Sequence, residues 1–280
     1  MLAACAGAPT TKTPAVMPGY ESVQDGAFFI EAVPGQHLYE GNRRTEVSYA
    51  GGEAPGTVVV DTFARKLYLV GEGGTATRYP IAVGREGLSF RGNGVIGRKA
   101  EWPSWQPTAN MVRTRPDLYA AYAGGLPGGL ENPLGARALY LYRGGRDTMF
   151  RIHGTADNAS IGHATSAGCI RLFNQDAIDL YNKVPTGTRV KVRSEAESVA
   201  MEGQQMLNAF GHMVPATAEN EAQREKDLAA IAKQDAKNQA AAERAQKKRM
   251  AACARRGIPD AECALGESSG AVTVGTSDAG

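Results

Sequence analysis

The sequence predicts a mainly β protein followed by a long helix, and three observations lead to that prediction. The 280 residues include 34 glycines and 14 prolines, a turn-rich composition that suits sheets better than helical bundles. Short runs of β-branched and aromatic residues recur between these turns, as in 57–61 and 66–70. Residues 216–256 contain no Gly or Pro and are dominated by Ala, Glu, Gln, Lys and Arg, which predicts a long exposed helix.

Charge and hydropathy exclude two classes of function. Lys and Arg number 31 against 29 Asp and Glu, so the net charge is +2, without the basic bias of a nucleic-acid-binding protein. No stretch approaches the roughly 18 consecutive apolar residues that a membrane-spanning helix needs. We therefore expect no nucleic-acid partner and no membrane-spanning segment.

Residues 1–20 are rich in Ala, Thr, Pro and Gly and are predicted to form a flexible tether. The tether contains Leu2-Ala3-Ala4-Cys5, which resembles the lipobox of bacterial lipoproteins, where the Cys is acylated after signal cleavage. Only four residues precede Cys5, too few for a signal peptide, so we expect the true start to lie upstream. The alternative is that Leu-Ala-Ala-Cys occurs by chance in an Ala-rich terminus. We expect any membrane attachment to be only through a lipid on Cys5. Residues 21–54 are predicted to be a lead-in of weak strand potential.

Residues 55–194 contain the strand signals and are predicted to form one β-dominated domain. The first two runs predict a hairpin, and the fourth and fifth predict a second hairpin around Gly144-Gly145. Pro80 places the third run at a sheet edge or bulge. The last run alternates apolar and polar residues and closes the domain. In order, the runs are 57–61, 66–70, 77–83, 138–142, 148–153 and 188–192.

The segment 84–135 is dense in Gly, Pro and Trp and predicts an irregular loop of a length that is usually functional. It includes a formal GxGxxG match at 92–97. We expect that match to be accidental, because Trp102-Pro103 follows where a dinucleotide-binding fold needs a helix. Trp102, Trp105 and Met111 either line a substrate groove or cover the sheet.

A short helix and a C-terminal extension complete the chain. Asn174 is predicted to cap a helix whose apolar positions share one face. Residues 195–280 are predicted to be a helical, partly disordered extension, a solvated spacer rather than a binding helix. Cys253 and Cys263 lie ten residues apart around the turn 257–259, and they are a candidate disulfide if the protein is exported.

The residues best suited to chemistry surround Cys169. A thiol becomes a nucleophile when a nearby base or cation and backbone donors lower its pKa. His153 ends a predicted strand and supplies the base, while the backbone amides near Gly168 and Cys169 are candidates for an oxyanion hole. Arg171 follows two residues later and offers a bidentate cation to a substrate carboxylate. His163 lies between these motifs, and we expect it to be an exposed loop residue.

The sequence His153-Gly154-Thr155, followed by Ser166-Ala167-Gly168-Cys169-Ile170-Arg171, resembles the active-site signature of the YkuD-type L,D-transpeptidases. The resemblance covers about residues 55–193. It implies a β-sandwich catalytic domain with short helices, located outside the cytoplasm and acting on peptidoglycan stem peptides. No motif of the family falls within residues 1–50 or 195–280.

The resemblance also implies a role for each residue of the signature. Cys169 is expected to be the nucleophile, His153 its base, and Gly168 part of the backbone oxyanion hole. The expected substrate-side residues are Arg171, Ser166, Thr155 and Gly154. No role is expected for the side chain of Ala167, because relatives differ at that position.

The resemblance implies transpeptidation that forms 3–3 cross-links, with no metal or organic cofactor. Transfer to water would make the protein an L,D-carboxypeptidase, and transfer to a lipoprotein lysine would make it an anchoring enzyme. A general cysteine protease or amidase, and a non-catalytic cell-wall-binding protein, are the alternatives from other classes. Metal binding by His153, His163 and Cys169 is disfavoured, because no supporting carboxylate or second Cys accompanies them. We expect the protein in the periplasm or cell envelope.

Overall fold

The computed structural model describes residues 16–84, 92–165, 170–259 and 263. It divides the chain into two compact units, Met1–Thr217 and Ala218–Gly280. The helices are α1 Ala109–Thr114, α2 Pro116–Tyr119, α3 Asn174–Lys183, α4 Glu195–Glu202 and α5 Ala218–Arg255. The strands are β1 Val23–Asp25, β2 Phe28–Ile30, β3 Thr45–Ser48, β4 Val58–Asp61, β5 Lys66–Val70, β6 Thr75–Pro80, β7 Ala82–Gly84, β8 Gly92–Glu101, β9 Arg137–Arg143, β10 Arg146–Thr155, β11 Ala164–Thr165, β12 Ile170–Phe173, β13 Arg189–Val192, β14 Gln205–Leu207 and β15 Met213–Pro215.

A mixed sheet dominates the first unit. Its eleven described strands follow the order β11-β7-β12-β10-β9-β8-β13-β4-β5-β6-β3. Strands β10 and β12 are parallel, as are β13 and β4, whereas the β4–β5 and β9–β10 pairs are antiparallel. Those two antiparallel pairs are the two hairpins that the sequence predicts. The prediction of a mainly β fold with short helices and a helical extension is confirmed.

The sheet curls back on itself because one chain segment belongs to both of its ends. Strand β6 pairs with β5 and β3 at one end, and β7 pairs with β12 and β11 at the other. Only Ile81 separates β6 from β7. Side chains from both ends and from α3 therefore share one core, whose members include Val60, Leu67, Tyr79, Ile96, Leu139, Ile152, Leu172, Ala177 and Leu180.

Two local predictions are wrong. The segment 92–101 was expected in an irregular loop, but it forms β8, in which Gly97 packs beneath the ring of Tyr142. Gly97 therefore serves close packing within a strand, and the GxGxxG match is accidental, as expected. Asn174 does not cap α3, because Phe173 holds the cap position, and the Asn174 Oδ1 instead accepts a hydrogen bond from Ala136 N at 2.9 Å.

Residues 195–217 pack within the first unit. In α4, the Ser198 hydroxyl donates to Asp61 at 2.8 Å, and Glu202 accepts hydrogen bonds from Tyr68 at 2.7 Å and Arg193 at 2.8 Å. The Arg193 side chain is only 2% exposed and also bonds Asp61 at 3.1 Å. Burial of this charge network ties α4 to the neighbouring strands β4 and β5.

The second unit is built around α5, a helix of 38 residues with no buried residue along it. This agrees with the solvated helix that the sequence predicts. Cys253 and Cys263, the candidate disulfide pair, are bonded, with their Cα atoms 6.2 Å apart. None of the helices in the described part of the chain combines the length and apolar character that crossing a bilayer needs.

Candidate active site

His153 lies near the end of β10 and is nearly inaccessible to solvent, at 4% exposure. Its Nδ1 atom is 2.7 Å from the carbonyl oxygen of Gly154. Because a carbonyl only accepts, Nδ1 carries the proton and Nε2 retains the lone pair. Burial lowers the pKa of His153 to about 4, so the imidazole is neutral at pH 7. The residue has the tautomer and the charge state of a general base.

Strand register places Arg171 beside His153. The two residues are partners on the parallel strands β10 and β12, and His153 faces Ala138 on the other side. Ala138 in turn pairs with Ala100 of β8, so small side chains form the sheet surface beside the imidazole. Ile152, the residue before His153, points to the opposite face and is fully buried in the core.

A cleft of about 800 Å³ opens above this face of the sheet, and both His153 and Arg171 line it. The segment between β8 and β9 supplies much of its wall through α1 and α2. Trp105 and Met111 line the cleft. Of the two positions that the sequence allows for them, in a groove or as a cover of the sheet, they occupy the first. The Trp105 ring lies 6.3 Å from that of Tyr119. Trp102 is not among the described residues that line the cleft, and its Nε1 donates a hydrogen bond to Asp25 at 2.8 Å.

Asn174 supports the residue next to the base. A Cβ atom on Gly154 would clash with the Asn174 amide oxygen, and so would one on Gly135, which has a positive φ of 60°. Both glycines thus allow Asn174 to reach the backbone amide of Ala136. From the sequence, Asn174 is predicted only as a helix cap. Its contact with Ala136 escapes a local pattern, because Ala136 lies 38 residues away in the sequence.

The other signature residues differ in how far the structure describes them. The Thr155 hydroxyl is buried and accepts a hydrogen bond from Asp157 N at 3.1 Å, which supports the turn after β10. Arg171 lies 4.0 Å from the Asp157 carboxylate. The predicted substrate contacts of Arg171, Thr155 and Gly154 stay predictions. The remaining candidates lie outside the described residues, and their roles also stay predictions: Cys5, Ser166, Gly168 and Cys169.

The loop 157–163, which we call the site loop, follows His153 and precedes β11. It contacts segments that are distant from it in the sequence. The Asn42 side-chain amide donates to Ile161 O at 3.3 Å. Arg65 Nη1 donates to the carbonyls of Gly162 and Gly211, both at 2.8 Å. The N-terminal lead-in and the β14–β15 hairpin therefore meet at the site loop.

His163 is half-buried rather than exposed, and this expectation is wrong. Its ring packs against that of His212, with centroids 4.6 Å apart, and His212 stacks on Tyr39 at 4.2 Å. Burial and the neighbouring Arg65 cation lower the pKa of His163. The sequence does not reveal this contact because His212 lies in the hairpin of the C-terminal extension. Within the described residues, no cluster of His, Cys, Asp and Glu side chains is suited to hold a metal ion.

Comparison with known proteins gives the class of protein to which this fold and cleft belong. The model of the YkuD L,D-transpeptidase catalytic domain matches residues 55–192. A putative L,D-transpeptidase in the ATP synthase subunits region of Fuscovulum blasticum is 39% identical over 137 residues, covering 48% of this chain and 68% of the relative. The chain therefore belongs to the YkuD family of L,D-transpeptidases, and the resemblance seen in the sequence is confirmed.

The probable L,D-transpeptidase ErfK/SrfK of Escherichia coli is 37% identical over 139 residues, or 49% of this chain, and the match spans only 43% of that relative. Two solved structures are also similar. A probable carnitine operon oxidoreductase from Brucella melitensis has 46% identity and a TM-score of 0.40, covering 54% of this chain and 93% of its own. An L,D-transpeptidase from Mycobacterium smegmatis has 18% identity and a TM-score of 0.36, covering 54% and 68%.

Proposed function

We propose that the protein is an L,D-transpeptidase that acts on peptidoglycan stem peptides through a Cys169 thioester and forms 3–3 cross-links. The observation that supports this most directly is His153, a buried and neutral imidazole with Nδ1 fixed by a carbonyl, on the wall of a cleft. In the sequence, Cys169 directly precedes β12, the strand that pairs with β10 beside this base.

In the first half-reaction, the Cys169 thiol gives its proton to His153 Nε2 as its sulfur attacks the carbonyl carbon at the L-centre of diaminopimelate in a donor tetrapeptide. The carbonyl electrons move onto oxygen, where backbone amides near Gly168 stabilise the charge. Collapse of this intermediate breaks the peptide bond. His153 returns the proton to the departing amine, so that D-Ala leaves and a thioester remains.

In the second half-reaction, the side-chain amine of diaminopimelate on another stem attacks the thioester carbon. His153 accepts a proton from that amine and delivers it to the departing Cys169 sulfur. The products are a 3–3 cross-link and the free thiol. Water in place of the amine gives a tripeptide, and a lipoprotein lysine gives an anchored protein.

The proposed location is the periplasm or cell envelope, where these substrates occur. The bonded pair Cys253 and Cys263 supports this proposal, because structural disulfides persist mainly in oxidising compartments. Acylation of Cys5 after removal of an upstream signal peptide is a separate part of the proposal. Mass spectrometry of the native N-terminus tests it, and an unmodified Met1 would reject it.

The decisive experiment incubates the purified protein with disaccharide-tetrapeptides and follows the products by mass spectrometry. We expect dimers that lack one D-Ala, absent in Cys169→Ala and retained in Cys5→Ala, which removes a cysteine from the predicted tether. Tripeptide monomers alone would indicate a carboxypeptidase. Cleavage of ordinary L-peptides would indicate a protease. Dimer formation by Cys169→Ala would contradict the proposed nucleophile.

A further inference from the structure

Three side chains form a row across the sheet next to the candidate base. Arg98 of β8 and Arg151 of β10 are both register partners of Tyr140, which lies on β9 between them. The guanidinium carbon of Arg98 is 3.5 Å from the centre of the Tyr140 ring, and that of Arg151 is 4.3 Å from it. Stacking of guanidinium groups on an aromatic ring holds both cations in fixed positions. We call Arg98, Tyr140 and Arg151 the arginine row.

The arginine row lies in the same cleft as His153. All three side chains line this cleft. Arg151 precedes His153 by two residues on β10, so their side chains leave the same face of the sheet, roughly 7 Å apart along the strand. A substrate whose acyl carbon lies at His153 therefore has the arginine row within reach in the same cleft.

The row has more positive than negative charge. Asp147 pairs with Arg151 through bonds of 2.7 Å and 2.9 Å. Burial raises the pKa of Asp147, but the hydrogen bonds from Arg151 and from the Met149 amide, together with the charges of Arg151 and Arg98, lower it more. The pKa therefore lies below its usual range, and the carboxylate is charged at neutral pH. One carboxylate faces two guanidinium groups, and Arg98 is the more exposed of the two. Arg171 adds a third arginine to the cleft, whereas Glu131 is the acidic residue among its described lining.

We propose that Arg98, held in the arginine row, binds a free carboxylate of the acyl donor and makes the cleft selective for anionic stem peptides. This proposal rests on the proposed function, because it names the substrate feature that the same cleft selects. Asp147 holds Arg151 in place, and the Tyr140 ring holds Arg98 in the cleft lining. Because Arg98 is already held, binding a carboxylate costs less side-chain entropy.

The donor offers this carboxylate in two places. The second carboxyl of diaminopimelate is six C–C bonds from the acyl carbon, about 7.5 Å when extended. This length carries it from His153 to about the position of Arg151 along the strand. The Arg98 guanidinium stacks on the same Tyr140 ring as that of Arg151, so the carboxylate comes close to both cations. The terminal D-Ala carboxylate lies on the other side of the scissile bond. The chemistry of recognition is the same for both, and amidating one carboxyl at a time separates them.

The test measures binding to full-length Cys169→Ala protein by calorimetry, so that no turnover occurs. The ligands are a tetrapeptide with both carboxylates free, one amidated at the second diaminopimelate carboxyl, and one amidated at D-Ala. We expect amidation at one position to weaken binding about 10- to 100-fold, the range for a charge-assisted hydrogen bond. Adding Arg98→Gln is expected to abolish this difference, and Arg98→Lys to preserve part of it.

Arg189→Gln is the matched control, because it removes an equal charge at an exposed position of β13 that is not part of the cleft lining. Equal binding of all three peptides, or a preference that survives Arg98→Gln, would overturn the proposal. Turnover assays of the same panel with Cys169 present keep the two proposals apart. Dimer formation without a carboxylate preference would refute only the proposed carboxylate binding by Arg98. Carboxylate-dependent binding without dimer formation would refute only the proposed transpeptidase function.

Discussion

Asn174 and Gly154 are in direct packing contact beside the candidate base, and no side chain larger than hydrogen fits between them. Gly154 also provides the carbonyl that fixes the His153 tautomer. One residue thus meets two demands, close approach of an amide side chain and orientation of an imidazole. Substitutions at this point are expected to affect both stability and chemistry.

We expect Gly154→Ala to lower the free energy of unfolding by about 1–3 kcal/mol, because the added methyl group displaces Asn174 from Ala136. Turnover should fall with it, since the Gly154 carbonyl shifts under His153. Denaturant unfolding and the tetrapeptide assay measure the two effects. Gly52→Ala is the control, because a Cβ there meets open space. Equal stability of both variants would contradict this account of Gly154.

His153 is expected to stay neutral at pH values where exposed histidines are protonated. Burial lowers its pKa to about 4, whereas an ordinary imidazole titrates near 6.5. As the pH falls from about 6.5 to 4, the free base therefore persists. Imidazole NMR on Cys169→Ala protein measures the titration, with His153→Gln used to assign the signal. A midpoint near 6.5 for that signal would refute the buried, neutral base.

Arg65 is expected to stabilise the site loop and the β14–β15 hairpin, because it donates a hydrogen bond to each of them. Arg65→Gln removes two hydrogen bonds of 2.8 Å to the Gly162 and Gly211 carbonyls and should cost about 1–3 kcal/mol. Amide hydrogen exchange should rise in 205–215, because that hairpin loses the hydrogen bond from Arg65 to the Gly211 carbonyl. Arg43→Gln, an exposed arginine of the lead-in, serves as the control. Unchanged exchange in the hairpin of the Arg65 variant would show that other contacts hold it.

Two truncations are expected to differ sharply. A chain ending at Thr217 keeps every contact of the first unit and should match the full chain in melting temperature and turnover. A chain ending at 194 loses Glu202 and leaves the buried Arg193 one partner short, which should cost about 3–5 kcal/mol. Thermal melting distinguishes the two. Similar melting temperatures would show that α4 and the β14–β15 hairpin add little stability.

Short-range signals predicted much of the fold. Alternation and turn residues located both hairpins, since Asp61 pairs with Lys66 and Arg143 with Arg146 in the structure. Pro80 lies at the end of β6, beyond the residues that pair with β3, which agrees with its predicted place at an edge. These features depend on residues close together in the sequence, where local propensity is informative.

The parts that escaped prediction depend on distant residues. The arginine row requires the register of β8 on β9, which a bulge between Ile96 and Arg98 shifts by one position. Asn174 was a plausible cap by local pattern, but its hydrogen bond to Ala136 takes precedence. The signature with Cys169 and His153 could be recognised from the sequence, whereas the register that brings Arg98, Tyr140 and Arg151 into the cleft with His153 could not.

The single residue Ile81 joins β6 to β7, so a short covalent segment connects the two ends of the sheet. Ala82 of β7 is the register partner of Arg171, so the strand that pairs with β10 rests on a segment continuous with the far hairpins. A change in β5 or β6 therefore has two routes to Arg171, along the covalent chain through Ile81 and across the hydrogen-bonded strands. We therefore expect some substitutions far from the cleft, at the opposite end of the strand order, to change the geometry at Arg171.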